Sequence, residues 1–394
     1  MPFRIPKTPK IVFVTENVPK DYVSYGLSLI GAETMWNRTK GENAVVAVVD
    51  TGIDYKHPEL KDRVVGGKDF TGSKDFMDDN GHGTHVAGII AASGKKISGV
   101  APRCNLLAIK ALDKGGGGSD EDVADGIAWA VENGAEVISM SFGSSDPSPV
   151  VRQALKFAYR KGAVLIAASG NEGDENIESD TVDYPAKYPE TIAVAAVDAK
   201  KIVAPFSSKG PAVDVAGPGV DIYSTYLGGK YVYLSGTSMA TPYISGAAAL
   251  ILSDSKRVTG HKMTPAEVKN YLIMHTEDLG PKGKDNAYGY GLFTFNYGAS
   301  LPSKAKEIKI GLDKRRARIN GVAQLGQKTA IIDGKEVVMD NLPIKIGDCV
   351  YVPAQFLAEQ LGARIQLNTS EGEIIISDNC GSRLADFKDI DEQN

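Results

Sequence analysis

From Asn43 to Ser253 the chain repeats one pattern: a short β-branched apolar run, a polar or glycine-rich loop, then a helix-like stretch. No other feature limits the fold as tightly. The apolar runs are Ala44–Val49, Asn105–Ala111, Val137–Met140, Ala163–Ala168, Thr191–Val197 and Ala212–Val215. They are short and nearly continuous in their apolar residues, as strands of a parallel sheet are when both faces are covered. Helices are predicted over Asp120–Asn133, Val150–Lys161 and Ser238–Ser253. The first opens on acidic residues, where the helix dipole favours them. Strands alternating with helices imply right-handed crossovers. The expected fold is therefore α/β: a doubly wound, mostly parallel sheet with helices on both faces. Functional sites on such sheets lie at the carboxyl ends of the strands.

The pattern changes near Ala299–Lys306. Beyond it, short strands are predicted at Glu307–Gly311, Arg316–Asn320, Lys328–Ile332, Glu336–Met339 and Glu373–Ser377, with one helix at Val352–Leu361. Asn320-Gly321 and Asp333-Gly334 read as hairpin turns. The chain thus divides into an N-terminal extension (1–20), a large α/β domain (21–303), a small α+β domain (304–380) and an acidic tail (381–394) whose composition suits disorder.

Composition narrows the function. Lysine and arginine total 44 against 49 acidic residues, a net charge of -5 that gives no support to a nucleic-acid partner. No stretch is long and apolar enough to span a membrane. Cys104, Cys349 and Cys380 lie far apart with no CxxC pair, which argues against a disulfide framework or a zinc–cysteine cluster. The N-terminal MPFRIPKTPKIVFVTENVPK has no apolar core of the kind that marks a secretory signal, so a cytoplasmic location is expected.

Three segments carry chemistry. VAVVDTGID puts Asp50 at the carboxyl end of a buried strand, and DDNGHGTHVAG puts His82 and His85 at the start of a small-residue helix. SGTSMATP puts Ser238 in a glycine-bounded turn that opens another helix. A serine there has an exposed hydroxyl beside free backbone N–H groups, which suit a developing oxyanion. Serine alone is a weak nucleophile. It needs a histidine base, and that base needs a carboxylate to fix its tautomer. Each piece also has a plainer reading. Asp-Thr-Gly is a common turn, HGTH is a metal pair without the glutamate of HExxH, and Gly-Thr-Ser is a helix cap. The order Asp, His, Ser within one α/β frame favours a nucleophilic site.

With that order the chain resembles the subtilisin-type serine proteases, for which the order is established. The likeness runs from about Asp21 to Gly298 through VVDTGIDYKHPEL, NGHGTHVAG, VISMSFG, AASGNEG, YPAKYPETIAVAAVD, FSSKGP and GTSMATP. It implies a serine endopeptidase that cuts protein or peptide substrates through an acyl-enzyme. Ser238 would be the nucleophile, His82 the base and then the acid, and Asp50 the orienting carboxylate. His85 would be structural, and Asn171 would hold the oxyanion together with the Ser238 amide. The rival readings are a dormant zymogen and a catalytically silent binding protein of the same fold. The resemblance also implies a peptide-binding edge at Gly116, Gly117 and Gly118, opposite Ser141, Phe142 and Gly143. Its specificity pocket would be walled by Phe142, Gly143, Ala168 and Gly170, with Glu172 at the mouth. Asp183 stands where the family often has a small residue, at the pocket base. A carboxylate there favours Lys or Arg in the substrate, unless it turns outward or binds a cation beside Asp174, Glu175, Glu178 and Asp180.

Calcium is expected as a structural cofactor, the resemblance also implies a weak cation site at backbone carbonyls near Ala186, Tyr188 and Thr191, and no organic cofactor is expected. The family's strong site maps onto Asp21, Glu59 and the loop Ser93–Ile97, which is short and carries Lys95 and Lys96 where an amide ligand is usual. The second candidate is the acidic loop with Asp75, Asp78 and Asp79, for which a solvated turn is the alternative. Met1–Lys20, with Ile5-Pro6, is similar to the short pro-segment of intracellular subtilisins, which crosses the active site; a disordered tail is the alternative. The C-terminal region, VYVPAQFLAEQLGARIQL followed by EIIIS, resembles the stalk domain named for the N-terminal region of copper amine oxidases. No histidine follows His275, so it has no imidazole to offer copper. Oligomerisation or attachment is its expected role. Such modules are more usual in exported proteins, at odds with the missing signal.

Overall fold

The computed structural model describes residues 3–6, 12–13, 24–174, 176, 179–260 and 262–298, together with nine strands between Glu307 and Phe387. The chain forms two compact units, Met1–Ala299 and Ser300–Asn394.

The first unit begins with two short strands, β1 (Phe3–Arg4) and β2 (Val12–Phe13), and two short helices, α1 (Tyr25–Ile30) and α2 (Ala32–Met35). Then come β3 (Val45–Asp50), β4 (Val64–Asp69), α3 (His82–Ala91), β5 (Asn105–Lys110), β6 (Gly117–Gly118), α4 (Asp120–Glu132) and β7 (Val137–Met140). They are followed by α5 (Pro149–Arg160), β8 (Val164–Ala168), β9 (Ile192–Val197) and β10 (Val213–Pro218). A hairpin of β11 (Ile222–Tyr226) and β12 (Lys230–Leu234) leads into α6 (Thr237–Thr259), α7 (Pro265–Met274), β13 (Thr276–Glu277) and β14 (Leu292–Phe293).

Nine of these strands form one sheet in the order β13-β14-β10-β9-β8-β7-β3-β5-β4. Every neighbouring pair is parallel except β13 with β14. This is the doubly wound α/β fold that the alternation implied. Its six apolar runs became β3, β5, β7, β8, β9 and β10 within a few residues of the predicted ends. The edge strand β4 went unread because Val64-Val65-Gly66-Gly67-Lys68-Asp69 carries two glycines and is only half-buried. Helix α6 runs six residues beyond the predicted Ser253, its last turn carrying Lys256 and Arg257 where the dipole favours cations.

Both faces of the sheet are covered, so successive residues of a strand enter different cores. In β3, Val46 and Val48 pack with Val86 and Ile90 of α3 and Ala240 and Ile244 of α6. Ala47 and Val49 pack with Val123 and Ile127 of α4 and Val151 and Leu155 of α5. The helices start on explicit caps. Ser119 accepts from Asp122 N at 3.0 Å, and Pro149 and Pro265 take first-turn positions where a missing N–H costs nothing. Strand order reverses at β3. The chain moves outward to β5 on one side and to β7 and β8 on the other, which opens a crevice at their carboxyl ends.

The second unit consists of β15 (Glu307–Lys314), β16 (Ala317–Gln324), β17 (Thr329–Ile332) and β18 (Lys335–Val338) in one antiparallel sheet. Two further sheets are made of β19 (Ile344–Ile346) with β20 (Cys349–Tyr351), and of β21 (Ala363–Asn368), β22 (Glu373–Asp378) and β23 (Arg383–Phe387). The Asn320-Gly321 turn is overturned. Asn320 pairs with Gly311 and Gly321 with Ile310 inside the β15–β16 ladder, which closes at Lys314 and Ala317 instead. A local Asn-Gly signal yields to a ladder of eight pairs that runs straight through it. Asp333-Gly334 does separate a pair, Ile332 with Lys335. The predicted helix Val352–Leu361 lies outside the described residues, as does the chain beyond Phe387; β23 stands within the segment read as tail.

Helix α6 lies close on Val100 because Gly246 has no side chain: a Cβ there would come within 2.6 Å of Val100 Cβ. Gly246→Ala is therefore expected to destabilise the domain by about 1–3 kcal/mol through overpacking. Val258→Ala, at a position 57 % exposed, should change stability by less than about 0.5 kcal/mol. Urea unfolding midpoints of the two variants check this.

Candidate active site

Asp50 is the last residue of β3 and is fully buried. Its carboxylate accepts from the Thr51 amide at 2.8 Å and faces the first residue of α3. That residue is His82, whose Nδ1 lies 2.8 Å and 3.0 Å from the two Asp50 oxygens. A carboxylate can only accept, so Nδ1 carries the proton and Nε2 is left as the basic nitrogen. Nε2 is buried and has no hydrogen-bond partner among the described residues.

The approach of α3 to β3 depends on small residues and a buried carboxylate. A Cβ at Gly83 would lie 2.1 Å from Gly52 O and 3.2 Å from Asp50 Oδ1, so only glycine lets the first turn of α3 sit on this loop. Gly52 itself has φ +103, a backbone conformation that glycine adopts without strain. Asp78 ties the parts together. It accepts from the Thr51 hydroxyl at 2.8 Å and from the amides of Asn80, Gly81 and Thr84 at 2.9 Å each. Thr51 Oγ1 in turn accepts from Gly83 N at 3.0 Å. Lys110, buried at the end of β5, donates to Thr51 O at 2.8 Å and to Asp79 at 2.6 Å.

Ser238 opens α6 and is fully buried. Its hydroxyl donates to Ser141 O, beyond the end of β7, at 3.0 Å, while Ser141 Oγ donates to Ser238 O at 2.9 Å. The second bond has a local cause. Pro242 has no N–H for the carbonyl four residues earlier, so Ser238 O is open to Ser141. Asn171 follows β8 and Gly170. Its Oδ1 accepts from the Thr237 amide at 3.0 Å, which fixes the side-chain plane and directs Nδ2 to the other side. A Cβ at Gly236 would lie 3.2 Å from Asn171 Nδ2 and 3.7 Å from Ser238 N, so both donors border one small space. Sequence reasoning missed Thr51, Asp78, Lys110 and Thr237 in these supporting roles; their nearness to Asp50, His82, β5 and Ser238 was the available signal.

His85 is buried on the far side of α3, where Nε2 donates to Ile222 O at 3.0 Å. Burial, with the neighbouring His82 charge, pushes its pKa down to about 3, so it stays neutral and ties α3 to the β11–β12 hairpin.

The predicted peptide-binding edge is occupied by the chain's own N-terminus. Phe3 pairs with Gly118 and Arg4 with Gly117 in antiparallel register. On the other side, Arg4 N donates to Gly143 O at 3.1 Å and Gly143 N donates to Arg4 O at 3.0 Å. Ile5 N donates to Gly116 O at 2.9 Å. Phe3 is fully buried, edge-on to Phe142 with centroids 5.6 Å apart, so Phe142 underlies this strand. Further on, Val12 and Phe13 pair with Tyr233 and Val232 of β12. Ala168 ends β8, fully buried. Asp183 points inward, not to solvent. It is 8 % exposed, and its Oδ2 lies 2.6 Å and 3.0 Å from the points where Cβ atoms of Gly143 and Gly170 would stand.

The expected cation ligands are otherwise engaged. Glu59 accepts from Ser93 Oγ and from the amides of Lys95, Lys96 and Ile97. The loop thus turns N–H groups, not carbonyls, toward that carboxylate, and Glu59 does not fit a calcium site; Asp21 lies outside the described residues. In the acidic loop, Asp75 accepts from Tyr55 OH, Asp78 caps α3, and Asp79 pairs with Lys110. No group of three His, Cys, Asp or Glu placed to hold a metal occurs among the described residues.

Residues 41–291 match the subtilase family, and residues 295–376 match the copper amine oxidase N-terminal domain. The chain is 42% identical over 274 residues to an intracellular serine protease of Paenibacillus polymyxa, covering 67% of this chain and 84% of that protein. It is 43% identical over 274 residues to subtilisin DY of Bacillus licheniformis, covering 68% and 96%. Against the major intracellular serine protease of Bacillus subtilis strain 168 it is 43% identical over 263 residues, covering 64% and 82%. No helix among the described residues is long and apolar enough to cross a membrane. A buried Asp–His pair, a serine at a helix start and a peptide-binding edge thus stand on a chain that belongs to the subtilase family, and the protein is a serine endopeptidase.

Proposed function

We propose that the protein cuts peptide bonds through an acyl-enzyme on Ser238, with His82 carrying the proton and Asp50 anchoring His82. The observation that carries this reading is the state of His82, bound to a buried carboxylate through Nδ1 and unpartnered at a buried Nε2. When substrate binds, the Ser238 hydroxyl turns from Ser141 O to Nε2; such bonds often tighten only in the complex. Oγ then bonds to the carbonyl carbon while Nε2 takes its proton. The carbonyl π electrons move to oxygen, where the Ser238 amide and Asn171 Nδ2 receive the charge. Collapse breaks the C–N bond, and His82 gives its proton to the leaving amine. Water repeats the sequence on the ester and frees Ser238.

The N-terminal strand supports a second element, self-inhibition. Phe3 to Ile5 makes the main-chain bonds that an extended peptide substrate would need. While it is in place, substrate has no edge to join. Relatives named as intracellular proteases support a place of work inside the cell.

A fluorophosphonate should add one adduct to the full chain and none to Ser238→Ala, read by intact mass; no adduct on the folded wild type would leave the dormant-zymogen and silent binding-protein readings, which labelling of the trimmed chain separates. Asn171→Leu is expected to lower kcat by about 10²–10³ with little change in KM, the size being that measured in a subtilisin. Phe3→Ala removes a buried ring contributing about 3 kcal/mol or more and should speed labelling at least about tenfold. Equal labelling rates would show that the strand is no barrier.

A further inference from the structure

We propose that Asp183 and Glu172 form a carboxyl pair in the cleft which makes this protease select lysine or arginine immediately before the cleaved bond. The inference rests on the reading of the cleft given above and names the substrate class that the cleft prefers.

Backbone bonds lock Asp183 in place. Asp183 N donates to Ser169 O at 2.8 Å, and Ser144 and Tyr184 exchange two N–H···O bonds of 2.8 Å. The segment is thereby pinned across the loops that leave β7 and β8. Its carboxylate fills the gap between Gly143 and Gly170, and the Cβ point of Gly170 also lies 2.6 Å from Glu172 Oε2. Glu172 stands at the exposed mouth, where Oε2 accepts from Asn171 N at 2.6 Å and from Ser208 Oγ at 3.3 Å. Both carboxyls thus border the one space left by the missing Gly170 side chain, Glu172 Oε2 at 2.6 Å and Asp183 Oδ2 at 3.0 Å from the Cβ point.

The cleft already holds a peptide, and this second observation points to the ligand. Gly143, against which Asp183 is packed, is the residue that exchanges both main-chain bonds with Arg4. The floor carboxylate therefore lies directly under an extended peptide strand, in a position to meet a side chain of its occupant. A neutral apolar side chain pressed against the buried Asp183 carboxyl offers it no donor. An ammonium brings three donors and a guanidinium five, enough for both carboxyls.

The charged groups facing Asp183 are Glu172, Arg4 from the N-terminal strand, and Lys187 from the following turn, itself paired with Asp180 at 2.7 Å. Burial first, then Glu172, pushes Asp183 up to about 7, while Arg4 and Lys187 pull the other way. A raised carboxyl pKa means that the proton is held below about 7 and lost above it. The pocket therefore gains negative charge, and preference for a basic side chain, as pH rises through that range.

The test uses the full chain, its N-terminal trimming followed by intact mass, and peptides that differ only in Lys, Arg, Gln, Leu or Phe before the cleaved bond. kcat/KM is measured from about pH 5.5 to 9. Lys and Arg are expected to exceed Leu and Phe by about tenfold or more at high pH, with the ratio falling several-fold as pH drops through about 7. Asp183→Asn should flatten that pH dependence and lower the ratio by about tenfold. Self-trimming should follow a basic residue of the N-terminal extension: Arg4, Lys7, Lys10 or Lys20. Better cleavage of Leu or Phe at every pH, a pH-independent ratio, or trimming after apolar residues would overturn the inference. The wild-type profile and trimming site decide the matter even if the variant does not fold. Fluorophosphonate labelling of the same samples separates the two readings. A labelled enzyme without basic preference sinks only this inference, whereas an unlabelled one sinks the catalytic reading beneath it.

Discussion

The site depends on one buried contact, the Asp50 carboxylate against His82 Nδ1 at 2.8 Å. Neither residue sets this distance alone. Asp50 is fixed because it ends the central strand β3, hydrogen-bonded to β5 on one side and β7 on the other. His82 is fixed because it begins α3, whose entry is held by Asp78 through three amides and the Thr51 hydroxyl. Burying a carboxylate costs several kcal/mol unless donors meet it, and here Thr51 N and His82 meet Asp50. The same enclosure that makes the contact costly also makes it strong and keeps His82 in one tautomer.

Ser238 reaches the site by a related economy of backbone groups. A proline inside α6 leaves the Ser238 carbonyl without its helical partner, and the Ser141 hydroxyl takes that carbonyl up. One residue thereby joins the start of α6 to the peptide-binding edge beyond β7. Thr237 does the same on the other side by holding Asn171 Oδ1. Ser238, Asn171 and the edge that holds the N-terminal strand are thereby coupled through adjacent residues of α6.

The frame and the residues proposed to react were legible because both have local signatures. A buried parallel strand is a run of apolar residues, and Asp50, His82 and Ser238 each sit where such a run or a small-residue helix starts or stops. What the sequence could not reveal depends on partners distant in the chain. β4 is strand only because β5 lends it a ladder; Phe3–Ile5, expected from the resemblance to cross the active site, takes its register from Gly116–Gly118 and Gly143 on either side. Glu59 and the acids Asp75, Asp78 and Asp79 suggested cation ligands by type. In the fold they accept from loop amides, Tyr55, α3 and Lys110. Asn320-Gly321 failed for the same reason, since a two-residue turn signal cannot outweigh a continuous ladder. Asp183 was read at the pocket base from its place in a motif, and only the fold shows its carboxyl group turned inward against Glu172.

The most direct test of the account is rapid mixing of the enzyme with an activated peptidyl ester, followed by acid quench and intact mass. Ester-forming catalysis predicts an acyl group on Ser238, appearing in a burst of about one equivalent and decaying at the turnover rate. Turnover with no acyl group on Ser238 at any time, or an acyl group on another residue, would contradict it.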